Sequence, residues 1–216
     1  MPEIMEIATY RLAELDESAK ETARNWYREN GLCYEWHDAA FDDFEQVCDI
    51  LGISLKTNIV RLYGGRTRSE PRIYFTGFWN QGDGASYEAV YSYAKGAHRR
   101  IREHAPLSTE LHRIADVLRD VQRRNFYQLS ANVSHRGRYY HEYSMTISVE
   151  RDGPCQDVSA DSEETIAQAL RDLACWLYDR LRCEYEYLSS DEAVDSDICA
   201  NDYKFTATGR RSVSLE

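Results

Sequence analysis

The string Gly77-Phe78-Trp79-Asn80-Gln81-Gly82-Asp83-Gly84-Ala85 gathers aromatic, amide and acidic groups into nine residues. Its glycines let backbone amides approach an anion or a partner's main chain, Gln81 and Asp83 exchange hydrogen bonds, and Trp79 suits an interface anchor. No Lys-Ser/Thr follows and no helix opens at the turn, so neither a Walker loop nor a dinucleotide fingerprint is present. A plain structural turn and a recognition or active-site loop both fit. A second cluster lies at 135–141, where His135 and His141 bracket Arg136, Arg138, Tyr139 and Tyr140. Two imidazoles across a hairpin hold zinc only if Asp83 or Glu142 joins them, so no metal and no cofactor is expected. The expectation is instead that Arg136, Arg138, Tyr139 and His141 contact an anion or an acidic protein patch. A third group, Glu184, Glu186, Asp191 and Glu192 with Asp195 and Asp197, is either a phosphate mimic or a solvated face. His98, His104 and His112 read as surface or boundary histidines. Spacing alone reveals no Ser-His-Asp or Cys-His set, because such partners meet only in space.

Charge narrows the classes of partner. The net charge is −11 over 216 residues. The middle segment, 95–138, nevertheless carries 10 Lys/Arg against 4 Asp/Glu. So acidic a chain repels phosphate at long range, which makes direct nucleic-acid binding an unfavoured reading. The basic run of Arg99, Arg100, Arg102, Arg113, Arg119, Arg123, Arg124, Arg136 and Arg138 is either a phosphate strip or a set of partners for the chain's own acids. Six cysteines lie scattered without a C-x-x-C pair, as free thiols of a reducing compartment would. No apolar stretch reaches the length of a membrane span, and the first residues lack the pattern of a signal peptide. A cytoplasmic protein with no membrane partner is expected.

The elements that must hold these residues follow from periodicity. Residues 4–11 read as a strand, and Ser18 with Glu21 reads as a capping box opening a helix that Gly31 would end in the left-handed conformation. A second helix covers 37–51. Residues 55–93 turn β-like, with runs at 59–63, 72–76 and alternating Tyr87, Ala89, Tyr91 and Tyr93, and with Gly64–Pro71 as a mobile hairpin tip. Helices at 96–104 and from Ser108 onward precede two alternating strands, 127–133 and 143–149, joined at Arg136-Gly137. A long helix opens at an Asp161–Glu164 capping box. A short one opens at Ser189–Glu192, and Tyr203–Thr206 reads as a last edge strand before a frayed tail at about 208–216. The sum is an α+β chain in a single domain, an antiparallel sheet with helices packed mainly on one face.

Several segments carry a resemblance: Gly77-Phe78-Trp79 with Gln81-Gly82-Asp83-Gly84-Ala85, Glu110-Leu111-His112-Arg113-Ile114-Ala115, Gly137-Arg138-Tyr139-Tyr140-His141, and Glu184-Tyr185-Glu186-Tyr187-Leu188 with Ser190-Asp191-Glu192. Over most of its length the chain resembles small proteins of phages, prophages and proteobacterial mobile elements, whose members often bear the label of antitoxin of a toxin–antitoxin stability system. The resemblance supplies a setting in a host cytoplasm. With the acidic balance and the sixteen tyrosines, it points to an accessory protein that binds and blocks a host nucleic-acid-handling defence protein, of anti-CRISPR or anti-restriction type. Two other readings stand beside it. One is an antitoxin neutralising a cognate toxin. The other is an enzyme acting on a nucleotide or phosphorylated ligand, with Arg136, Arg138 and His141 on the anion and Asp83 or His135 as acid or base. A homodimer is compatible with each.

Overall fold

Apolar residues at three- and four-residue intervals and alternating apolar residues set the helices and strands of the computed structural model, which describes residues 8–32, 36–61, 63–153 and 157–212. In chain order these are α1 (Glu17–Asn30), α2 (Asp38–Leu51), β1 (Ile53–Leu55), β2 (Thr57–Arg61), β3 (Thr67–Pro71), β4 (Ile73–Phe75), β5 (Ala85–Tyr87), β6 (Ala89–Ser92), α3 (Ala97–His104), α4 (Thr109–Arg124), β7 (Leu129–His135), β8 (Met145–Arg151), α5 (Ala160–Leu188) and α6 (Asp191–Ala200). The chain divides into two compact units, one spanning Ala39–Arg182 and the other formed by Met1–Asp38 with Cys183–Glu216.

In the larger unit, β1, β6, β7 and β8 form an antiparallel sheet in that order, with Tyr91 opposite Ala131 and Ala131 opposite Val149. Alternation buries Ala89, Tyr91, Leu129, Ala131 and Val133 on one face and leaves Val90, Ser92 and Asn132 exposed on the other. Helices cover only the buried face. Phe44 of α2 packs on Tyr87, the Tyr87 hydroxyl donates to the Leu170 carbonyl of α5 (2.9 Å), and Gln122 of α4 bonds both backbone groups of Leu129. This is the expected α+β arrangement.

Three strands exchange partners at a single point. Lys56 N–H donates to Glu88 O (2.8 Å), Arg72 N–H to Lys56 O (2.7 Å), and Glu88 N–H to Arg72 O (3.0 Å). Before the point β1 pairs with β6; after it β2 pairs with β3, and β4 with β5. The side chains follow suit, Glu88 lying 3.3 Å from Arg72 and 4.0 Å from Lys56. The β2–β3 ribbon departs from this junction with most of both its faces exposed.

The smaller unit is a helical cluster. Leu12, Leu15, Ala19, Ala23, Tyr27, Val194, Ile198 and Phe205 form its core. Arg24 pairs bidentately with Asp195 at 2.7 and 2.8 Å, joining α1 to α6.

Several local expectations are corrected. Asp16 caps α1 by accepting from Ala19 N–H at 2.8 Å, which places Ser18 inside the helix. Gly31 is right-handed (φ −83°); its glycine is required because a Cβ would lie 2.5 Å from the Tyr27 ring. Ser159, rather than the expected Asp161, accepts from Ser162 N–H at the start of α5, and Ser190, rather than the expected Ser189, accepts from Ala193 N–H before α6. The Gly64–Pro71 segment is largely strand β3. Tyr127 stays outside β7, since it and Phe126 are left-handed (φ 62° and 56°). Of the two terminal strands only isolated bridges form, Phe205 pairing with Tyr10 and with Arg211; residues 4–7 lie outside the described residues. The tail is docked as far as Arg211, whose guanidinium lies 4.8 Å from both the Trp26 and Tyr203 rings.

Candidate functional site

The Gly77–Ala85 loop leaves β4 and enters β5, and its own carboxylate shapes it. Asp83 Oδ2 accepts from Trp79 N–H (3.0 Å) and Asn80 N–H (2.7 Å), while Asp83 N–H donates to Asn80 O (3.1 Å). The Tyr178 hydroxyl on α5 donates to Gly77 O (3.0 Å), and Gly84 N–H donates to Thr76 Oγ1 (3.3 Å). Burial, with Asp83 nearby, raises the Tyr178 pKa and keeps that hydroxyl a donor.

The β7–β8 connection meets this loop directly. A Cβ on Gly84 would sit 2.6 Å from His141 Cβ, and one on Gly82 would lie 3.8 Å from the Tyr139 ring. The connection is equally self-tied. His141 Nδ1 accepts from Tyr143 N–H (3.1 Å), Ser144 Oγ donates to His141 O (2.6 Å), and His135 Nε2 bonds Tyr139 O (2.9 Å). Tyr140 stacks on Tyr74 at 5.2 Å and lies 5.0 Å from the His135 ring. Tyr74 in turn donates to Glu88 at the strand junction (3.4 Å), and burial beside that carboxylate raises its pKa.

The structure therefore brings together two of the three sequence clusters, Trp79, Gln81 and Asp83 with Tyr139 and His141. It spends Asp83, His135 and His141 on backbone groups. What remains outward is aromatic, cationic and amide: Trp79 is 74 % exposed, Tyr143 70 % and Tyr139 57 %, with Arg136, Arg138, Asn80 and Gln81 also exposed. Arg138 lies 5.9 Å from the Tyr139 ring and Arg171 lies 5.8 Å from that of Tyr143.

Glu184, Glu186, Asp191 and Glu192 belong to the other unit. There Asp191 pairs with Arg28 and Arg24, and Asp197 accepts from the Tyr27 hydroxyl (3.1 Å), so part of that acidity is internally matched. The hydrogen bond to Asp195 is the main cause that holds the Arg24 guanidinium above its ordinary pKa. Part of the basic middle segment is matched as well: Arg102 and Arg119 pair with Asp116, Arg113 with Glu110 and Asp172, Arg123 with Asp120, and Arg124 with Asp161. Among the described residues no three His, Cys, Asp or Glu side chains converge on a metal position, and no helix is long and apolar enough to cross a membrane.

A groove of about 500 Å³ escaped the sequence reading. Asp43 of α2, His104 at the end of α3, Pro106 and Leu107 after it, and Trp176 and Arg180 of α5 line it, with His104 Nε2 2.9 Å from Asp43 Oδ1. Asp43 and His104 are 61 residues apart, so no spacing pointed to the pair. The i, i+4 placement of Trp176 and Arg180 on one helix face was a readable signal.

These features define an α+β protein with a one-sided antiparallel sheet and an aromatic surface on its connecting loops. Residues 36–191 match the family model described as Domain of unknown function (DUF8835), and the chain belongs to that family. Neither a curated protein nor a solved structure matches it.

Proposed function

We propose that this protein is a non-catalytic binder of another protein, engaging it through Trp79, Tyr139 and Tyr143 with Arg136 and Arg138 at the margin. The observation that carries this reading is the pairing of exposed rings with spent polar groups. The candidate acid and bases hold their own loops in place, and the rings are left outward on a frame that loses little entropy on binding. Aromatic and arginine side chains are the residue types that dominate interface energetics. The acidic end of α5 with α6 is left out of the contact set, because Asp191 and Asp195 are ion-paired to α1.

The partner proposed is a nucleic-acid-handling defence protein of a host cell, in the manner of an accessory protein carried by a phage. Support for that choice lies in the net charge of −11 and in the resemblance set out from the sequence. Expression of the chain in cells bearing a restriction or CRISPR system should raise phage plating efficiency. Trp79→Ala with Tyr139→Ala should abolish the effect while circular dichroism stays unchanged, since losing one anchor typically costs about 2 kcal/mol, roughly 30-fold in affinity. Unaltered plating across such systems, or equal activity of the double variant, would overturn the proposal. Rescue of growth from a neighbouring toxin gene would move the reading to an antitoxin.

A further inference from the structure

We propose that the groove between α2, the α3–α4 connection and α5 binds a nucleoside monophosphate, independently of the aromatic loop surface. Three chemistries converge there, and each matches one part of such a ligand. Trp176 is half-buried, backed by Phe44 at 6.5 Å with near-parallel rings, and the rest of the indole lines the groove as a platform for a flat heterocycle. Leu107, almost fully exposed at the lip, and Pro106 extend the apolar surface.

Arg180 supplies the charge for a phosphate. It forms no ion pair among the described residues, in contrast to most arginines of this unit. The adjacent acid, Asp179, is taken by Arg182 at 3.0 Å. A guanidinium left unpaired on an acidic chain is a ready partner for a bidentate anion. Asp43 serves the opposite need. One of its oxygens holds His104 (2.9 Å), and the second can accept from sugar hydroxyls. A volume of about 500 Å³ lies within the range of small-molecule sites.

Binding is tested by calorimetric and NMR titration of the full chain with AMP, adenosine and inorganic phosphate in parallel. AMP should bind saturably, with adenosine and phosphate each weaker by about tenfold or more, since each lacks one of the matched contacts. Arg180→Gln should weaken AMP by about tenfold and leave adenosine unchanged, the factor expected for a charge-assisted hydrogen bond. Trp176→Leu should weaken AMP and adenosine together; if that variant fails to fold, the exposed Arg180→Gln change still decides. Absence of saturable AMP binding, equal affinity for adenosine and AMP, or an unaltered AMP affinity in Arg180→Gln would overturn the assignment. None of these outcomes touches the reading of the Trp79 surface, which is probed by its own variants.

Discussion

Asp83 sits between two glycines in an aromatic loop, where a carboxylate could equally well act on a substrate or fasten a turn. Its Oδ2 accepts from the amides of Trp79 and Asn80, and that decides the matter: with two charge-assisted bonds it is the clasp of the loop. Asp83→Ala should therefore lower unfolding free energy by about 1–3 kcal/mol, as removing one partner from such bonds does. It should also broaden the backbone NMR signals of residues 77–84, and loosen partner binding because Trp79 is no longer pre-positioned. An Asp83→Ala protein with unchanged stability and sharp loop signals would refute this role. His141 is read the same way, since its Nδ1 caps the short turn at Glu142–Ser144.

At the scale of elements, the connections rather than the helices and strands hold the unusual conformations. Between α4 and β7 the chain turns through two consecutive left-handed residues, Phe126 and Tyr127. The turn is held from beneath by Gln122, which bonds the backbone of Leu129, and by Asn125, whose side chain donates to Val121 O and Ser162 Oγ. A non-glycine residue there costs roughly 1–2 kcal/mol, and the Phe126 ring, 75 % exposed, returns little of it by burial. Phe126→Gly should consequently stabilise the protein by about 0.5–1 kcal/mol after the larger unfolded-state entropy of glycine is allowed for. Thermal denaturation would register this as a rise of about 1–4 °C, whereas a fall would mean that the ring packs in solution. The β2–β3 ribbon is the complementary case. Its strand residues alternate too weakly to define a buried face, and Arg61, Arg66 and Arg68 against Glu70 give it a positive charge on a negative chain.

For the whole molecule, a share of the positive charge is paired locally. Arg102, Arg119 and Asp116 form one such cluster, and the bond from Arg102 draws the Asp116 pKa below 3.8. A carboxylate depressed on folding contributes stability that is complete above its unfolded value and is lost as pH falls through its folded value. Asp116→Asn should thus be less stable than the parent at neutral pH, by at most about 1 kcal/mol because the pair is partly solvated. The difference should vanish as pH drops well below 3.8. Chemical denaturation across that range measures it, and a gap that persists in acid would point to lost packing.

The sequence by itself determined the helices, the alternating strands and hence the α+β class, because burial of one face imposes periods that are local and readable. It also marked the Gly77–Ala85 and 135–141 segments as unusual by composition. Tertiary structure alone decided that these two segments meet through Gly84 and His141, and that Asp83, His135 and His141 bond backbone amides and carbonyls while Arg136 and Arg138 stay exposed. It alone assembled Asp43, His104, Trp176 and Arg180 around one groove, and made three strands trade partners at Lys56, Arg72 and Glu88. Each of these depends on which distant groups satisfy one another's hydrogen bonds and charges, and that pairing follows from chain topology rather than from any interval along the chain.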